Sequence, residues 1–455
     1  MIKKKTVNYL FISLIAHYLF YPFYIGSIPN TLQQIVIFGL FLLYAFFNFE
    51  TIIPLFVKLG QYKKYMIFVA ILYAIVLGSA LLVPFIYGTG DLSYFAQHFR
   101  QLLFLSRYII LLAIIRTHIS SYNLKDKVLK LFTEATRDYV IFTIILITIP
   151  KFRSIWINII HETASRIELL NLPSYFARIG WAGYSGFSMT FFCTLSALFS
   201  LYLILKSMQS KQGIPKSHII SLLFALIGNS FYGRAGLLTS LLLIGISVVY
   251  MIVVNKKFHY ALMLIFGIIG VFLFLTFLQQ FSSTLASWYN WMMQPIISLL
   301  ETGTIQTSST DTLWTMWFIP DPIMLIFGNG FYTSPIGDNY YMSTDVGLLR
   351  PVLFFGIFLT ALLYLIPISL IGAIGTKTRL NRHFAFMMIL SLFIFEVKAE
   401  SVQLLIPLVI MLFLAEFAGE LKKDKQISIE TNFFKGSNKN EELYDSTIFK
   451  MRGKN

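Results

Sequence analysis

The chain has 455 residues, 57% hydrophobic and 13% charged, with a mean hydropathy of +0.72. That much apolar surface cannot be hidden in one water-soluble core, and runs such as 237–252 lack the polar–apolar alternation of a membrane-spanning strand. The net charge of +15 sits mostly in short loops between apolar runs, so it reports membrane topology rather than a nucleic-acid partner.

An all-α polytopic membrane protein is therefore expected, with about twelve transmembrane helices. Lys3, Lys4 and Lys5 precede an apolar run over 7–25 that is too long for a signal peptide and lacks a small-residue cleavage site. It reads as a retained first span. The others fall at 32–49, 65–87, 101–115, 139–160, 184–205, 217–231, 235–254, 258–278, 346–372, 384–395 and 402–418. Pro150, Lys151 and Arg153 interrupt the fifth near its outer third, where a helix ends or kinks. Just before it, Val128, Leu131, Phe132 and Ala135 recur at helical spacing among charges, as in a short amphipathic helix on the inner membrane surface.

With both termini cytoplasmic, 27 of the 36 Lys and Arg residues fall inside, as the positive-inside rule requires. Residues 1–418 then form one transmembrane domain, and 419–455 a polar, disordered cytoplasmic tail. Two large external loops remain, one over about 160–183 and a longer one over 279–344 between spans 9 and 10. Loops of that length carry function more often than simple connections do. Cys193 is the only cysteine, so no disulfide staples them.

The nine basic residues not assigned inside are Arg100, Arg107, Lys151, Arg153, Arg166, Arg178, Arg234, Arg350 and Lys398. Most are Arg, whose planar fork matches phosphate oxygens. Arg107 lies within a span, where an arginine costs roughly 2.5–3.5 kcal/mol on insertion scales. It faces the bundle interior or snorkels to the headgroups. Arg234 sits in Gly233-Arg234-Ala235-Gly236 at the outer mouth of two spans, either as an anion ligand or as part of a tight helical hairpin. Asp345, where the large loop re-enters the membrane, is a partly desolvated carboxylate suited to a general base; capping a helix N-terminus is its other reading. Trp288, Trp291, Trp314 and Trp317 suit either sugar stacking or an interfacial belt. No Walker A loop, His-Glu-x-x-His or Asp-x-Asp pattern occurs, so neither cofactor nor metal is expected and Arg must neutralise any diphosphate.

In order and placement these motifs resemble bacterial O-antigen and capsule repeat-unit polymerases of the Wzy type, and more distantly the O-antigen ligases. The likeness rests on Arg178-Ile179-Gly180-Trp181-Ala182-Gly183 before the sixth span and on the Gly233-Arg234-Ala235-Gly236 hairpin. It continues with Gly328-Asn329-Gly330-Phe331, Thr344-Asp345-Val346-Gly347 and Phe355-Gly356-Ile357, and covers about residues 178–358. Ligases usually carry a His where the large loop re-enters, and this chain has Asp345, which favours a polymerase. An Arg often found before the loop's central Trp is missing, with Asp311 nearby instead.

The resemblance implies a metal-independent glycosyltransferase. It would move a growing glycan from undecaprenyl diphosphate to a lipid-linked oligosaccharide repeat unit at the outer face of the bacterial cytoplasmic membrane, among membrane lipids and alongside a chain-length regulator and a flippase. On this reading Arg234 and Arg178 bind the diphosphate, helped by Arg166, Arg107, Arg100 and Arg350. Asp345, or failing that Asp338, takes the acceptor's proton, and Tyr340 and Tyr341 contact sugar. The competing readings are a ligase, or a lipid-linked oligosaccharide flippase, against which the length of the 279–344 loop argues.

Overall fold

The computed structural model describes residues 2–26, 28–57, 59–119, 123–160, 162–210, 213–304, 307–336 and 340–418. The expected tail at 419–455 and Asp338 lie outside the described residues. The first part of the chain forms α1 (Ile2–Phe20), α2 (Asn30–Phe47), α3 (Phe49–Val57), α4 (Lys63–Ile86), α5 (Ser93–His118), α6 (Leu124–Thr148), α7 (Pro150–Ile159) and α8 (Ala164–Leu170). A two-stranded hairpin follows, β1 (Ile179–Gly180) and β2 (Gly183–Tyr184), then α9 (Phe187–Gln209), α10 (Lys216–Tyr232), α11 (Arg234–Val253) and α12 (Phe258–Leu278). The large loop contains α13 (Ser283–Thr302), α14 (Ser308–Met316) and α15 (Pro322–Phe327). Helices α16 (Leu349–Phe355), α17 (Ile357–Gly375), α18 (Arg379–Glu396) and α19 (Val402–Phe417) complete the bundle.

Each of the twelve expected apolar runs carries helix. Among the described residues six helices, α4, α5, α9, α11, α12 and α17, are long and apolar enough to cross a membrane, with up to eight crossings if each of two bent pairs counts as one. Large apolar side chains stand exposed along α2, α4 and α12, among them Phe46, Phe47, Phe85, Phe266 and Leu273. Such belts suit hydrocarbon and not water, as in a multi-pass membrane protein.

The centre is α9, whose Thr190, Thr194, Ser196, Ala197 and Ser200 are all buried. Small residues let backbones approach closely, and α6, α10, α11 and α18 pack around it. Pro150 acts as its missing N–H predicts: α6 stops at Thr148, and α7 leaves at 117° with the proline in its first turn. The segment 128–135 corrects the sequence reading. It is the inner part of one continuous α6, with Val128, Leu131 and Ala135 fully buried and Phe132 nearly so. The charges just before it, at the start of α6, are met by partners on other helices: Lys125 pairs with Glu416 of α19 at 2.6 Å, and Asp126 with Lys206 of α9 at 2.5 Å. Those distant partners let a helix with a charged stripe sit inside the bundle instead of on a membrane surface.

The described part of the large loop is anchored to the bundle. Asp91, before α5, accepts the backbone N–H groups of Tyr332 (2.7 Å) and Thr333 (2.8 Å), and Thr89 donates to the carbonyl of Gly330 at 2.8 Å. Burial pushes the Asp91 carboxyl up, but these bonds and those from Ser93 outweigh it and hold the group below its ordinary range.

Candidate functional site

Five stretches of chain converge on one cleft of ≈ 470 Å³, whose walls include Arg178, Tyr184, Gly233, Ser309, Asp345 and Lys398. Arg178 enters from the hairpin between α8 and α9. Ile179 pairs with Tyr184 and Gly180 with Gly183, and the Ser185 N–H donates to the Arg178 carbonyl at 2.8 Å. Gly180 lies against the Tyr139 ring, where any Cβ would collide, so this turn is seated on α6 only because it carries no side chain there.

Arg234 opens α11. Gly233 and Gly236 face Thr190 of α9, and a Cβ on either would strike it, so the glycines bring the α10–α11 turn down onto α9. The guanidinium is then held by the large loop. Nη1 donates to the Trp291 carbonyl at 3.1 Å and to Gln294 Oε1 at 2.7 Å, and Nη2 donates to Ser309 Oγ at 2.8 Å. It also lies 4.4 Å from the centre of the Trp291 ring. The Arg178 guanidinium is 5.3 Å from that same ring and 4.3 Å from Tyr175. Two cations therefore share one indole face system, which holds them near each other despite their repulsion.

Asp345 comes from the stretch before α16. Its Oδ1 is buried with no hydrogen-bond partner among the described residues. The cap position of α16 is Leu348, and no side chain caps that helix, so N-capping is not what Asp345 does. Burial raises its pKa, while Arg350 and Lys398 draw it back down.

Lys398 is the residue that sequence reasoning passed over. It stands in the connection between α18 and α19, which is fixed by two buried carboxylates. Glu396 Oε1 accepts from Ser401 N and Val402 N, both at 2.6 Å, and Glu400 accepts the hydroxyls of Tyr94 and Tyr332, both at 2.8 Å. Burial lowers the ammonium's pKa, Arg178 and Arg234 lower it further, and Asp345 opposes them. The signal was present as Glu396, Lys398 and Glu400 within five residues of an otherwise apolar stretch.

The other candidates divide. Arg350 is sandwiched between Tyr332 (3.8 Å) and Tyr340 (4.2 Å), close to Asp345. Tyr341 accepts from Asn329 Nδ2 at 2.6 Å and stacks on Phe331, so both tyrosines shape the loop. Arg166 stands at the rim, 3.5 Å from Glu162 and 6.0 Å from the Tyr184 ring. Arg107 faces the bundle interior and lines a separate, mainly apolar chamber of ≈ 200 Å³, where Nη2 donates to the Tyr24 hydroxyl at 3.2 Å. Tyr184 is a wall of both cavities. Arg100 is exposed and lines neither. Of the tryptophans, Trp291 reaches the site, Trp288 is buried against Phe231 and Trp314 is 75% exposed.

No family model, curated protein or solved structure matches the chain.

Proposed function

We propose that this chain is a glycan polymerase of the bacterial cytoplasmic membrane. It transfers a growing polysaccharide from undecaprenyl diphosphate to the terminal hydroxyl of a lipid-linked oligosaccharide repeat unit. The observation that carries this reading is that Arg178, Lys398 and Asp345 line one cleft, with Arg234 beside it, bonded to the wall residue Ser309. Three cations and one carboxylate leave a net positive charge for a diphosphate, and one proton acceptor beside it. The phenol rings of Tyr175, Tyr184 and Tyr232 lining that cleft suit a sugar attached to the phosphate.

In the proposed step the acceptor hydroxyl oxygen attacks the anomeric carbon of the donor sugar. The bond from that carbon to the diphosphate oxygen breaks, and its electron pair leaves with undecaprenyl diphosphate. The hydroxyl proton passes to the Asp345 carboxylate. Arg178 and Arg234 stabilise charge growing on the leaving group, and because packing already fixes them, little reorganisation is needed at that moment. The proposed topology has twelve spans with both termini cytoplasmic. It is supported by the inside placement of 27 of the 36 basic residues, and it puts the cleft on the outer face.

A deletion strain tests the reading through its surface glycan. A single repeat unit left on lipid identifies a polymerase. An uncapped acceptor with long lipid-linked polymer identifies a ligase, and absence of any external repeat identifies a flippase.

A further inference from the structure

Arg178, Asp345 and Lys398 line the cleft, with Arg234 and Arg350 close by, and among the described residues none of these five makes an ion pair within 4.0 Å. They differ in freedom. Arg234 is tied to Trp291, Gln294 and Ser309, and Arg178 is stacked on Tyr175 and Trp291. Arg350 is clamped between two tyrosine rings. Lys398 alone carries its charge on a flexible four-carbon stem, with no hydrogen-bond partner for the ammonium among the described residues. Its backbone is immobilised from below by Glu396 and Glu400.

Building on the polymerase reading, we propose that Lys398 is the third cation for the lipid-linked diphosphate, and that its ammonium, which faces the same cleft as Asp345 without pairing to it, swings onto that diphosphate when substrate enters. The groups acting on Asp345 are Arg350, from the start of α16, and Lys398, from the α18–α19 connection. Those acting on Lys398 are Arg178, Asp345 and Arg234. A diphosphate brings at least two negative charges against the single one of Asp345, so a mobile ammonium follows it, while clamped Arg350 cannot. Asp345 thereby loses one neighbouring cation and gains an anion nearby. It becomes a stronger base just as the acceptor hydroxyl needs one.

The test uses the purified full-length protein in lipid nanodiscs with native Lys398, Lys398→Met and Lys398→Arg. Undecaprenyl diphosphate, undecaprenyl phosphate and neutral undecaprenol are the binding probes. Lys398→Met should weaken undecaprenyl diphosphate about tenfold, weaken the monophosphate much less and leave undecaprenol unchanged, with Lys398→Arg restoring most of the loss. Turnover of lipid-linked repeat units isolated from a polymerase-deficient strain gives the second readout. The acid limb of kcat/KM, which reports the free protein, should move to higher pH in Lys398→Met, while the limb of kcat stays in place. Equal losses for all three lipids, or native diphosphate affinity in Lys398→Met, overturn the proposal and leave the polymerase reading standing. Failure of the native protein to prefer the diphosphate over undecaprenol overturns both.

Discussion

Arg234 at the start of α11 donates to Ser309 Oγ at 2.8 Å, joining residues 75 positions apart and fastening the large loop to the α10–α11 turn. The same guanidinium reaches Gln294 and the Trp291 carbonyl, so three hydrogen bonds and a ring contact converge on one planar group. A hairpin alone would not require this geometry.

Arg234→Lys keeps the charge but offers a single ammonium where a fork serves several acceptors. Activity should fall about a hundredfold or more, the scale seen when one preorganised donor is removed from a charged transition state. Polymer length in a complemented deletion strain, at matched protein levels, measures it. Near-normal chains would return Arg234 to a purely structural role.

Asp345→Asn should abolish turnover while leaving affinity for the lipid-linked repeat close to native, because the amide keeps the shape but takes up no proton. The native rate should also fall as pH drops through a pKa above the ordinary ~3.9 of Asp, since burial raises it and the ionised form is the active one. A pH–rate profile locates that limb. Full turnover in the variant would remove Asp345 as the base and direct attention to Asp338.

Topology is checked by labelling single cysteines from outside the cell, after Cys193 is replaced by Ser. Cys193 is fully buried and packed on Gly228, so the smaller hydroxyl fits. A cysteine at exposed Glu301, in the large loop, should react with a membrane-impermeant reagent, and one at Lys256, between α11 and α12, should not. The reverse pattern would invert every loop assignment.

Gly356 separates α16 from α17 at φ 79° and ψ 172°, a conformation that side chains strongly disfavour, and a Cβ there would run into the backbone of Ile326. Gly356→Ala should cost about 1–3 kcal/mol and lower the melting temperature of the purified protein by a few degrees. Gly245→Ala, on α11 with open space around it, is the control and should be neutral or mildly stabilising. Equal melting temperatures for the two variants would show that the α15–α16 contact is not what sets the loop's base.

The helices, the break at Pro150, the two long loops and the three segments that carry Arg178, Arg234 and Asp345 were legible in the linear pattern. Hydropathy, proline and charge are local properties, and each can be read within a turn or two of helix. Only the tertiary structure decided who meets whom. It brought Lys398 from the α18–α19 connection into the cleft and put Arg107 in a separate chamber. It turned Tyr340 onto Arg350 and Tyr341 onto Phe331, and drew the charged stripe of 128–135 into the bundle. Those outcomes depend on partners more than a hundred residues away in some cases, as with Lys125 and Glu416. The energy of a buried charge is fixed by what faces it across the bundle, and a linear pattern does not encode that pairing.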